Sequence, residues 1–220
     1  MRSRVILPLA ALLAASVWCV LLLVIRKHEF GAAGHGYLVW NLTLAWVPLL
    51  LAILLVASYK RRHSGLELIA VGAVWLLFLP NAPYVLTDFI HLGQAHRLYD
   101  TVLIGSFAFT GLALGFASLL LVQLVVTRAA GAMLGWVTAF GALFFASIGI
   151  YLGRVLRFNS WDAIQRPHLL WDVTSGRIAD PLGNPELIGF VIAFCGFLTL
   201  AYAGFFGVTA LAASVRRDER

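Results

Sequence analysis

Two stretches of this chain carry side chains whose types and spacing could do chemistry. The first holds Asn81, Tyr84, Thr87, Asp88 and His91 within Leu79-Pro80-Asn81-Ala82-Pro83-Tyr84-Val85-Leu86-Thr87-Asp88-Phe89-Ile90-His91-Leu92. If Ala82 to Leu92 is α-helical, a step of about 100° per residue puts Tyr84, Thr87, Asp88 and His91 on one face, with the apolar residues opposite. Such a segment either lies in a membrane interface or lines a polar cavity. The second stretch holds Arg154, Arg157, Asn159, Trp161 and Asp162, and its two arginines, three residues apart, share a helix face. A carboxylate and an imidazole from one stretch with guanidinium groups from the other would make an anion-binding, acid–base or metal-assisted site. The spacing does not choose among these.

Plainer roles exist for the same residues. Arginines at a helix C-terminus compensate the macrodipole and snorkel to headgroups. Asp88 and His91 would serve as a surface pair on an interfacial helix, and Trp161 and Trp171 as members of an aromatic belt. A metal set drawn from Asp88, His91, His96 and Asp100 has no HExxH or paired-cysteine pattern behind it. No motif selects a cofactor, so none is assigned.

The elements that position these residues follow from composition. Of 220 residues, 61% are hydrophobic and 12% charged, against about 45–50% and about 25% in soluble domains. Apolar runs of about 18 residues or more read as membrane spans, because a helix needs roughly 20 residues to cross about 30 Å of hydrocarbon. The expectation is an all-α polytopic transmembrane helix bundle of six spans in a single domain, over 5–25, 37–58, 66–79, 101–126, 132–152 and 187–215. The basic start followed by Val5 to Ile25 exceeds the usual signal-peptide core and reads as an uncleaved first span. The third span is short, and Pro80 and Pro83 remove backbone donors where it would continue. A proline break is therefore expected there, with Asn81 as N-cap of a short amphipathic helix, unless the span extends to residue 90.

The 16 Lys and Arg against 10 Asp and Glu cluster between apolar runs, which argues for topology rather than nucleic acid. With both termini cytoplasmic, nine of the basic residues fall inside and seven outside. Both polar stretches then open on the same, outer side. No Gly-rich run ends in Lys-Ser or Lys-Thr, so a P-loop is excluded. Cys19 and Cys195 lie inside apolar runs, as unbridged thiols do. Gly111 and Gly115, Gly131 and Gly135, and Gly149 and Gly153 have the four-residue spacing that lets helix backbones approach in lipid, within the chain or towards a membrane-protein partner or second copy. Asn41, Thr43 and Pro48 read as packing and kink features of the second span.

The Leu79 to Leu92 stretch, with Tyr151-Leu152-Gly153-Arg154 through Asn159-Ser160-Trp161-Asp162, resembles the two signature stretches of the bacterial membrane family called domain of unknown function 1361. The resemblance implies a single polytopic domain in a prokaryotic plasma membrane, and carries no activity or catalytic residues with it. Three functions are left open: an outward-facing polar site that binds or processes an anionic or lipid-linked substrate, a small-solute or ion transporter, and a non-catalytic membrane subunit or scaffold.

Overall fold

A helix in lipid must satisfy its own backbone, and every regular element among the described residues is helical. The structure, a computed structural model, describes residues 2–31, 35–92, 96–157 and 183–218, and the single positions 165, 168, 172, 175 and 176. Its helices are α1 (Arg2–Phe30), α2 (Tyr37–Lys60), α3 (Gly65–Phe78), α4 (Asn81–Tyr84), a 3₁₀ segment (Val85–His91), α5 (Arg97–Ala130), α6 (Ala132–Val155) and α7 (Pro185–Asp218). Six stretches are long and apolar enough to cross a membrane, the third being Gly65–His91 taken together. The helices outrun the expected spans: α1 continues five residues past Ile25, and α5 begins four residues before Thr101. Hydropathy marks only the hydrocarbon-facing part of a helix, so polar turns that remain helical fall outside it.

Two compact units divide the chain, Met1–Ser118 and Leu119–Arg220. In the first, α2 ends in a Schellman turn, His63 N–H donating to Ser58 O (3.2 Å) and Arg62 N–H to Tyr59 O (3.1 Å). Ser64 then caps α3, accepting from Glu67 N–H (3.3 Å), in a Ser-x-x-Glu start.

The break in the third span falls where the prolines place it, but Asn81 does a different job from the one expected. It is not the N-cap: Pro80 holds that position for α4 and makes no side-chain cap bond. Ala82 N–H donates to Leu79 O (3.1 Å), an i→i−3 bond that leaves Phe78 O without its usual α-helical donor. Asn81 Nδ2 donates to that carbonyl instead (2.9 Å). The amide thus closes the end of α3.

Gly111 and Gly115 of α5 receive the segment that follows the break. A Cβ on Gly111 would stand 2.6 Å from Ala82 O and 3.2 Å from Val85 Cγ2, and one on Gly115 would stand 3.0 Å from Ala82 Cβ. The small-residue pair therefore admits an element of its own chain.

The first span docks on α5 through a narrow stripe. Cys19, Leu22 and Arg26 are its buried positions, at helical spacing. Cys19 Sγ lies 3.4 Å from Thr110 Oγ1, Tyr99 O–H donates to Leu22 O (2.7 Å), and the Phe30 ring lies tilted against that of His96, 4.1 Å between centroids. Rising numbers on α1 meet falling numbers on α5, so the two helices are antiparallel. In the second unit, Gly131 takes φ +95° in the turn between α5 and α6, a conformation that suits glycine. A Cβ on Gly135 would collide with the Thr127 hydroxyl. The Tyr202 hydroxyl donates to Gln123 Oε1 (2.5 Å), and Tyr151 packs with Leu187 and Val191. Both cysteines are buried thiols.

Candidate functional site

Val85–His91 winds as a 3₁₀ helix, about three residues per turn, which changes the face on which its polar residues fall. Val85, Asp88 and His91 now share one line, and Tyr84, Thr87 and Ile90 another. The single polar face expected from α-helical winding is accordingly split. Asp88 is fully buried at 0% exposure, so it is not one half of a surface pair. His91, at the end of the segment, is exposed, and Tyr84 and Thr87 are half-buried. The outward positions are Phe89 and Ile90.

The partners of this line come from the start of α2. Asn41 Nδ2 donates to Asp88 Oδ2 at 3.0 Å. One turn earlier, the Tyr37 ring meets His91 edge-on at 5.3 Å between centroids. Residues four apart on an α-helix and three apart on a 3₁₀ helix each repeat on one face, so Tyr37 and Asn41 align with His91 and Asp88. Thr87 Oγ1 donates to Tyr84 O (2.7 Å), an i→i−3 bond that suits the tighter winding. Asn41 therefore joins the cluster, where packing alone was expected of it. Its spacing from Tyr37 is the signal that would have found both. Thr43, by contrast, bonds only to Val39 O of its own helix (2.8 Å) and is exposed.

The weak metal set is not assembled. Asp100 is bound by Arg26, Nε to Oδ1 at 2.6 Å and Nη2 to Oδ2 at 3.0 Å, with the side chains 7% and 2% exposed. His96 lies against Phe30. Among the described residues no group of three or more His, Cys, Asp and Glu side chains could hold a metal ion.

The second stretch belongs to the other unit. Arg154 is half-buried in the last turn of α6, and Arg157 is exposed just past the helix end, with φ +60°, a left-handed conformation uncommon outside glycine, asparagine and aspartate. Asn159, Trp161 and Asp162 lie outside the described residues.

With every regular element among the described residues helical, six stretches of membrane-spanning length, an interrupted third span and a buried acid at its exit, this is a polytopic integral membrane protein. Within that class it belongs to the family described as "Protein of unknown function (DUF1361)", whose model matches residues 40–201. The match takes in Asn41, the whole interrupted span, Arg154 and Arg157, and leaves α1 outside it. No curated protein and no solved structure matches the chain.

Proposed function

We propose that this protein binds, and acts on, an anionic or lipid-linked substrate at an outward-facing polar site built from Asn41, Tyr84, Thr87, Asp88 and His91. The observation that carries the reading is Asp88. A carboxylate fully inside a membrane bundle is expensive, and such residues mark functional sites. Here Asn41 holds it on non-α backbone, which lipid tolerates only where protein or a polar cavity surrounds it. His91, exposed one turn further on, adds an imidazole beside the Tyr37 ring. Arg154 and Arg157 are guanidinium groups, suited to a phosphate or carboxylate.

The proposed setting is a bacterial plasma membrane with both termini cytoplasmic. The basic residues support that orientation, nine falling on the inner side and seven on the outer.

The test is complementation of a deletion strain, with membrane levels measured alongside. Asp88→Asn, His91→Ala and Arg154→Gln should each abolish rescue at wild-type abundance. Full rescue by all three would end the proposal. A second reading, transport of a small solute or ion through the interrupted third span, is favoured by the same buried acid on broken backbone. Cysteine placed at Thr87 would be labelled from both sides of the membrane under transport. Labelling from the outer side alone would leave the binding site.

A further inference from the structure

The turn between α2 and α3 carries Lys60, Arg61 and Arg62 in succession, all exposed. None of the three has an acidic partner within ion-pair distance among the described residues. The acid nearest in sequence, Glu67, is held by other groups: Ser58 Oγ donates to its Oε1 (3.3 Å), and His63 Nδ1 lies 2.5 Å from its Oε2. Three adjacent cations are thus left uncompensated.

One of the three sits on left-handed backbone. Arg62 has φ +58° at the position of the Schellman turn that glycine fills most readily. An arginine held in an unfavoured conformation calls for a compensating role of its side chain. Beside the turn, the first residues of α3 show the opposite chemistry outward: Leu66 is 78% exposed and Ile69 70%. A phosphate-binding row above an apolar surface matches an amphiphile, with its headgroup on the cations and its acyl chains along α3. A free anion would gain nothing from Leu66 and Ile69.

We propose that Lys60, Arg61 and Arg62 form a headgroup site for an anionic phospholipid, whose chains lie against Leu66 and Ile69. This site is separate from the one built on Asp88 and does not depend on it.

The test uses the full chain in nanodiscs of phosphatidylcholine with a minor fraction of phosphatidylglycerol, and native mass spectrometry of the lipid retained. Wild type should enrich phosphatidylglycerol over its share of the disc. Arg62→Gly keeps the turn and removes the charge, so it should lower the enrichment about fivefold, the equivalent of one juxtamembrane cation. It should also melt no lower than wild type in phosphatidylcholine alone, because glycine relieves the positive φ. Arg62→Lys should retain most of the enrichment. The pair Arg216→Gln and Arg217→Gln, removing charge elsewhere, should leave it intact. Unchanged enrichment in Arg62→Gly would overturn the site, as would an equal loss from the Arg216 and Arg217 changes, which would indicate diffuse attraction. Protection by millimolar inorganic phosphate equal to that of phosphatidylglycerol would overturn the lipid and leave a free-anion site.

Discussion

Removing one side of the Arg26–Asp100 pair should destabilise the protein far more than removing both. The two groups make a bidentate contact through 2.6 and 3.0 Å hydrogen bonds, with side chains 7% and 2% exposed. Breaking a buried pair by deleting one partner costs about 3–5 kcal/mol, because the other charge stays buried without compensation. Against a total stability of about 5–15 kcal/mol, that is a large fraction. The two single changes should differ. Asp100→Asn leaves a long guanidinium stem near the end of α1 that can snorkel toward water, so its cost should fall near the lower figure. Arg26→Gln leaves a short carboxylate that cannot reach the interface, and should cost more. The double variant Arg26→Met with Asp100→Leu substitutes packed apolar groups, and should lose less than either single change. Unfolding by SDS titration in mixed micelles, followed by tryptophan fluorescence, measures the wild type and all three variants. Single costs below about 1 kcal/mol, the value of an exposed pair, would refute the reasoning. So would a double variant whose loss equals the sum of the singles, since groups in contact should couple.

Gly111→Ala should destabilise by more than about 1 kcal/mol in the same titration, because its methyl would stand 2.6 Å from Ala82 O and the packed elements would have to part. Gly141→Ala is the control: nothing lies within 4 Å of its Cβ, so it should be neutral or slightly stabilising. Asn41→Ala removes a donor from a buried carboxylate and should cost about 1.5–3 kcal/mol, the range for hydrogen bonds to charged groups. Asn41→Asp, which sets a second acid against Asp88, should cost more than the alanine change.

The spans were legible because lipid imposes one rule on the residues that face it, and runs such as 37–58 and 132–152 are apolar nearly throughout. The break after Phe78 was legible for a similar reason: Pro80 and Pro83 lack donors in any fold. What followed the break was not. Choosing between α and 3₁₀ winding over seven residues depends on what the segment packs against. Here that is Gly111 and Gly115, about 30 residues away in sequence. The winding then decided which of Thr87 and Asp88 would be buried. Arg26 and Asp100 each looked like a loop charge at the rim of a span. Their pairing is a contact 74 residues apart, and no local pattern encodes it.

The orientation of Asp88 shows why a soluble-protein reading of amphipathicity fails at this point of the chain. In water, a segment with an acid on one side and Phe89 and Ile90 on the other buries the apolar side. Here Phe89 and Ile90 face outward and Asp88 is enclosed, which is the cheaper arrangement when the outer solvent is hydrocarbon. The enclosure has a cost of its own, because the backbone from Leu79 onward departs from regular α-helical bonding and must be covered by protein. The glycines of α5 supply the cover on one side, and the Asn41 amide bonds the carboxylate from α2. An uninterrupted α-helix through Ile90 would give every backbone group a partner and span the membrane more simply. The chain instead has two prolines at the break, two glycines of α5 against the segment that follows it, and an asparagine bonded to its buried acid. That arrangement is hard to account for by membrane insertion alone, and it supports placing the function at Asp88.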